Sequence, residues 1–89
     1  MISGRQIRAA RALLDLAQHK LAELSSLSVA TIQHMEASKG VIGGQVESLM
    51  KLLEALDKAG IELIYANATG GHGVRLKKVQ KKPLVGTSG

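Results

Sequence analysis

The chain has no cysteine, phenylalanine or tryptophan, and only one tyrosine and one proline among its 89 residues. Without cysteine it forms no disulfide and offers no thiolate to a metal, which agrees with a reducing compartment. With Tyr65 as its one aromatic residue, its core must be packed mainly from Leu, Ile, Val, Ala and Met. A domain of this length buries only about 60% of its unfolded surface, so a second subunit would add stability.

From the pattern of apolar residues we expect neither an export signal nor a membrane-spanning stretch. Met1 is followed by polar residues over 3–8 rather than by an apolar run. The most apolar stretch, 49–66, is interrupted by five charged residues and is therefore too polar to cross a bilayer. We expect a cytoplasmic protein with no membrane partner.

The excess of positive charge falls near the end of the chain. The formal net charge is +5, yet residues 1–73 contain seven basic and seven acidic side chains and are neutral overall. The other cations are Arg75, Lys77, Lys78, Lys81 and Lys82. Such a segment attracts phosphate backbones or other polyanions, although it also serves simply to keep a chain soluble. Both interpretations stay open.

Apolar spacing predicts four helices joined by turns rich in Ser and Gly. The expected ranges are 4–16, 18–24, 29–37 and 45–59. Ser3 and Gln6 form a capping-box pattern before the first helix, Ser28 caps the third, and Gly60 ends the fourth. The apolar stripe of the fourth helix consists of Val46, Leu49, Leu52, Leu53 and Leu56.

After the fourth helix the apolar period changes from 3.6 to 2, which indicates strands. Ile61, Leu63 and Tyr65 alternate with their neighbours, as do Val74 and Leu76, and a Gly- and Asn-rich segment separates the two runs. This pattern predicts a β-hairpin with a long loop. Because an isolated hairpin is marginal in water, it must pack on the helices, pair with another subunit, or both.

The segment from Gln18 to Glu36 resembles the helix-turn-helix of the phage repressor and Cro family, also called the XRE family. The resemblance rests on QHKLA at 18–22 and SVATIQHME at 28–36, and it extends over roughly residues 3–60. It implies a mainly α protein with a four-helix lambda-repressor-like DNA-binding domain and a C-terminal β-hairpin. The implied division is a helix-turn-helix domain at 1–60, a hairpin extension at 61–78 and a basic flexible tail at 79–89.

The apolar residues of this segment pack the second and third helices together. Ala22 is small where the second and third helices cross, so the helices can approach closely. Leu21, Ile32 and Met35 then fix the third helix at an angle that lets its outer face enter a major groove about 12 Å wide.

The resemblance also implies which residues contact DNA. They are Gln18, Ser28, Val29, Ala30, Thr31, Gln33, His34 and Lys39. Gln18 begins the second helix, whose N-terminus contacts a phosphate, and Lys39 adds a cation. On the third helix, Val29 and Ala30 suit a thymine methyl group and Gln33 suits adenine.

Other positions follow the family pattern or depart from it. Arg11 and Glu36 stand where the family has a structural ion pair. Ser26 stands at the turn position that usually holds glycine, because a left-handed backbone is easiest for glycine. The segment 39–44 contains one cation where the family often has several, so the helical domain needs the tail or a second subunit to bind DNA well.

Catalytic and metal-binding patterns are missing. His19, His34 and His72 lack metal-ligand spacing, and 69–73 lacks the lysine and the following helix of a phosphate-binding P-loop. No nucleophile, base and orienting group stand together. We expect no enzyme activity, no cofactor and no metal.

These observations predict a homodimeric, sequence-specific transcriptional regulator, a repressor, whose partner is double-stranded DNA. Two alternatives stay open. One is an antitoxin whose hairpin or tail holds a toxin as its protein partner. The other is a protein-interaction module without a DNA role, which the neutral charge of residues 1–73 favours.

Overall fold

The structure is a computed structural model that describes residues 2–38 and 46–77. Its elements are α1 (Gly4–Leu14), α2 (Gln18–Ser25), α3 (Val29–Ala37), α4 (Val46–Lys58), β1 (Ile61–Ile64) and β2 (Gly73–Leu76). This part of the chain is mainly helical with a two-stranded antiparallel sheet, which confirms the predicted four helices and β-hairpin. Lys39, for which a DNA contact was predicted, lies outside the described residues. So does the segment 79–89, which was predicted to be a basic flexible tail.

The buried core joins all four helices and β1. It consists of Ile2, Ile7, Ala10, Leu21, Ala22, Ile32, Met35, Leu52, Leu56 and Ile61. The predicted alternation does not continue to Tyr65: β1 ends at Ile64, and the Tyr65 side chain beyond it is 53% exposed. Val46 is 72% exposed because it shares the outward side of α4 with Met50, so it does not belong to the predicted apolar stripe.

Three helices end at positions that differ from the prediction; one of them, α4, ends at Lys58 rather than at residue 59. α1 stops at Leu14 rather than at residue 16, because Asp15 adopts the left-handed conformation with φ 57°. α2 continues through Ser25 rather than stopping at Leu24, because the left-handed conformation that ends it occurs at Ser26.

The predicted caps are confirmed. At α1, the main-chain N–H of Ser3 donates to Gln6 Oε1 at 2.8 Å, and the Gln6 N–H donates to Ser3 Oγ at 3.3 Å. Ser28 Oγ accepts from the N–H of Thr31 at 3.1 Å. Gly60 follows α4 with φ +98°, a conformation that glycine adopts without strain.

The hairpin packs on the helices, which is one of the two modes that the sequence left open. β1 lies against α4 and β2 lies against α1. The amide of Gln6 holds this arrangement, since Gln6 Nε2 donates to the main-chain oxygen of Gly73 at 3.0 Å and to that of Ile64 at 3.4 Å. The register pairs Leu63 with Val74, and both side chains pack against the core. Among residues 2–38 and 46–77, no helix is both long enough and apolar enough to cross a membrane.

Candidate nucleic-acid interface

α2 and α3 are joined by a turn of three residues, 26–28, that depends on an unusual backbone conformation. Ser26 has a left-handed backbone, with φ 59° and ψ 35°. It stands at the turn position that usually holds glycine in the family that the sequence resembles. The N–H of Leu27 donates to the main-chain oxygen of Ala22 at 3.0 Å, which closes the end of α2. The turn therefore fixes the direction in which α3 leaves α2.

The inner face of α3 is held by packing. Ile32 is fully buried and Met35 is nearly so, and both join the same core as Leu21 and Ala22 of α2. This confirms the predicted role of the four residues in joining the two helices. Among the described residues, α3 is therefore packed against the core on one side and exposed on the other.

The outer face of α3 carries the residues for which base contacts were predicted. The exposed ones are Ser28, Val29, Ala30, Gln33 and His34. Thr31 is half-buried, and its hydroxyl lies 2.9 Å from the hydroxyl of Ser28. The structure thus brings six of the predicted residues together at the start and along one side of α3.

Glu36 is a buried carboxylate on the opposite face of α3, and it holds α3 to α1. Arg11 Nε donates to Glu36 Oε2 at 2.6 Å and Arg11 Nη2 donates to Glu36 Oε1 at 2.9 Å. The Glu36 side chain is 4% exposed and that of Arg11 is 21% exposed. The structural ion pair expected from the sequence is therefore confirmed.

Burial and hydrogen bonding oppose each other at Glu36. Burial alone would raise the pKa of its carboxyl group, but hydrogen bonds from Arg11 and Gln18, together with the Arg11 charge, lower the pKa below its usual value. The hydrogen bond to Glu36 raises the pKa of Arg11. Both side chains are therefore charged at neutral pH.

Gln18, for which a phosphate contact was predicted, makes hydrogen bonds within the protein that the sequence did not predict. Its side chain is half-buried, and its Nε2 donates to Glu36 Oε1 at 3.0 Å. Its Oε1 accepts from Gln33 Nε2 at 3.4 Å. Gln18 therefore connects the buried carboxylate to the outer face of α3. Ala17 precedes it as the N-cap of α2 and has no polar side chain to cap the helix, so main-chain N–H groups of the first turn remain for an external acceptor.

A second contact between α1 and α3 was not predicted from the sequence. Arg8 Nη1 donates to the main-chain oxygen of Glu36. Gly4 approaches α3 so closely that a Cβ atom on it would lie 2.5 Å from the same oxygen. No local sequence pattern predicts the contact between Gly4 and Glu36, which are 32 positions apart. It forms only when α1 packs against α3.

Several cations of the described residues are paired with carboxylates of the same chain. Lys20 on α2 pairs with Glu23 at 3.4 Å. Two cations of the basic C-terminal segment are also paired, Arg75 with Glu62 at 3.0 Å and Lys77 with Asp57. The hydrogen bond from Arg75 lowers the pKa of Glu62, which keeps that surface pair ionised. The α2–α3 unit therefore offers shape and hydrogen-bonding groups more than positive charge.

Within residues 2–38 and 46–77, no group of three His, Cys, Asp or Glu side chains is placed to hold a metal ion. Comparison of the chain with family models and with curated proteins finds no match. The site is therefore interpreted from its own residues and geometry.

Proposed function

We propose that this chain is a sequence-specific DNA-binding transcriptional regulator, a cytoplasmic repressor that inserts α3 of each of two subunits into the major groove of DNA. The single observation that carries the proposal is the division of α3 into two faces. Ile32, Met35 and Glu36 fix one face to the rest of the protein. The other face exposes Ala30, Gln33 and His34. The resemblance of residues 18–36 to the helix-turn-helix of phage repressors supports the same function, with a lambda-repressor-like domain as its scaffold.

The chemistry of the exposed face suits base edges. Val29 and Ala30 are small and apolar, and they fit against a thymine methyl group. Gln33 matches the donor and acceptor pair of adenine. Its bond to Gln18 is long and exposed, so exchanging that bond for a base costs little. His34 and Thr31 add further hydrogen-bonding groups.

Phosphate contacts would position α3 along the groove. The first turn of α2 supplies main-chain N–H groups at the positive end of its helix dipole. Ser28 and Lys39 lie on either side of α3 in the sequence, and the lysines near the end of the chain add attraction that depends on salt. Gln18, which begins α2, would be a further phosphate contact, while its Nε2 also donates to the carboxylate of Glu36.

A dimer would read two half-sites. Two copies of α3 related by a two-fold axis enter successive major grooves when the half-sites are about 34 Å apart, so the target is a pseudo-palindrome. Occupation of such a site within a promoter excludes RNA polymerase, which gives repression.

The experiment that tests this proposal is selection from a pool of random DNA duplexes, followed by sequencing, at two salt concentrations. We expect an enriched palindrome and an affinity that falls steeply with salt. Retention of all sequences alike would contradict sequence-specific recognition. It would favour the protein-interaction module that the neutral charge of residues 1–73 allows.

A further inference from the structure

The outward half of α4 presents apolar side chains that no other element covers in the part of the chain described. Val46 is 72% exposed and Met50 is 59% exposed, and with the half-buried Leu53 they form one stripe at helical spacing. A shallow groove continues from Leu53 towards the sheet, where Leu63 and Tyr65 line it. We call the stripe and this groove the α4 face.

A second stripe of alternating charge runs beside the apolar one. It consists of Glu47, Lys51, Glu54 and Lys58, all of them exposed. Steps of four, three and four residues keep the four side chains in line along the helix. Lys58 lies 3.9 Å from Glu54 of its own helix, at the limit of an ion pair. Such exposed pairs contribute little, so these charges are free to meet others.

The charges along this stripe run negative, positive, negative, positive. When the stripe is reversed, each charge therefore lies opposite one of the other sign. Positions 47 and 58 are equally far from the middle of the stripe, and so are positions 51 and 54. We propose that the α4 face binds α4 of a second copy of this chain, antiparallel, across a two-fold axis. Glu47 then lies opposite the partner's Lys58, and Lys51 lies opposite the partner's Glu54. By symmetry each contact occurs twice.

The arrangement of the two stripes selects the antiparallel orientation. A two-fold axis that reverses the helix brings the charged stripe against the charged stripe and the apolar stripe against the apolar stripe. A two-fold axis parallel to the helices would instead place the charged stripe of one copy over the apolar stripe of the other. Only the antiparallel orientation therefore matches both stripes at once.

The size of the surface sets the expected strength. α4 has 13 residues and is about 20 Å long. A pair of helices this short covers less than the roughly 800 Å² per subunit of a standard interface. The groove adds area, because reversal brings the partner's exposed Val46 to the end of α4 that adjoins Leu63 and Tyr65. We expect a dimer with a dissociation constant in about the micromolar range.

This surface is separate from α3, so the dimer is measured without DNA. Sedimentation equilibrium of the full chain between about 1 and 200 µM at low salt gives the dissociation constant. Lys51→Glu and Glu54→Lys each turn two attractive contacts into repulsive ones, and each should weaken the dimer about tenfold or more. The double variant Lys51→Glu/Glu54→Lys restores opposite charges across the axis. It should return the constant to within about threefold of that of the unmodified chain.

The rescue by the double variant separates the proposal from a general effect of charge. Lys20→Glu is the matched control, since it makes the same change of charge at an exposed position on α2 and should leave the dimer unchanged. Circular dichroism checks that every variant stays folded. A chain that is monomeric at all concentrations would overturn the proposal and assign the α4 face to another protein or to residues 78–89. A dimer that ignores both single reversals, or a double variant no stronger than the single ones, would also overturn it.

Discussion

At the scale of the residue, Glu36 is a buried carboxylate that connects three helices. It lies on α3 and accepts hydrogen bonds from Arg11 on α1 and Gln18 on α2. Because the pKa of Glu36 in the folded protein is lowered, its charged form stabilises the fold above about pH 4.3, the usual value for an unfolded chain. That contribution disappears as the pH falls through the lower, folded pKa.

Replacement of Glu36 by Gln tests this account. The variant leaves the Arg11 charge partly buried without its partner, and we expect the free energy of unfolding at pH 7 to fall by about 2 kcal/mol. The gap between the two proteins should narrow as the pH falls below the usual carboxyl pKa and through the lowered pKa of Glu36, because Glu36 then becomes protonated. Urea unfolding across this range measures both quantities.

A surface pair provides the control for the Glu36 experiment. Glu62→Gln removes a carboxylate that pairs with Arg75 at the surface of the sheet, and it should reduce stability by less than Glu36→Gln does. A gap between Glu36→Gln and the unmodified protein that stays constant down to acidic pH would show that the charge of Glu36 does not stabilise the fold.

Gly4 is a second residue whose role is visible only in the packed structure. A Cβ atom there would lie 2.5 to 2.8 Å from the main-chain oxygens of Glu36, Ser38 and Met35. We expect Gly4→Ala to lower the free energy of unfolding by about 1–3 kcal/mol, although alanine favours a helix, since backbone atoms cannot move aside cheaply. Thermal unfolding should show Gly71→Ala, which meets nothing within 4 Å, to be nearly neutral. Equal stability of the two variants would contradict the close approach of α1 to α3.

At the scale of the element, the turn between α2 and α3 carries a local strain. Ser26 has φ 59°, a conformation that costs a non-glycine residue about 1–2 kcal/mol. We expect Ser26→Gly to stabilise the protein by about 0.5–1 kcal/mol, because part of that gain is lost to the freedom of glycine in the unfolded chain. Thermal unfolding measures the change. Ser26→Ala keeps the Cβ atom and should give no gain, whereas equal gains from both would exclude backbone strain as the cause.

Elements that depend on local patterns were predictable, and those that depend on distant contacts were not. The capping box of α1, the Ser28 cap and the end of α4 at Gly60 follow from neighbouring residues. The burial of Ile2 was missed although a signal exists, since it precedes the cap and joins Ile7 in the core as a hydrophobic staple does.

The position of the hairpin and the environment of Gln18 had no such signal. Gln6 reaches Gly73 across 67 residues, and no period or motif connects them. Gln18 occupies its predicted position in the chain, but Glu36 and Gln33 hold its side chain once α2 and α3 have packed. The sequence therefore predicts which residues lie on the exposed side of α3. It does not predict their hydrogen bonds, because these form only after α2 and α3 have packed.

At the scale of the whole molecule, shape and charge have separate locations. Residues 1–73 are neutral overall, while the positive excess falls after residue 73. In this account the exposed side of α3 supplies selectivity, and the basic segment supplies attraction that does not depend on sequence. A variant that loses sequence selectivity should therefore keep the salt-dependent attraction, and a variant that loses this attraction should keep the selectivity.

The most direct test of the central claim is the affinity of an Ala30→Glu variant for the duplex enriched by selection. Ala30 is exposed on α3, so the substitution should leave the fold intact while placing a carboxylate among phosphates and base edges. Like charges brought together in an interface cost several kcal/mol, so we expect affinity to fall about 100-fold or more. Ala9→Glu, which puts the same group on the exposed side of α1, should retain most of the affinity. If Ala30→Glu binds that duplex as tightly as Ala9→Glu does, α3 does not enter the groove and the proposed function is wrong.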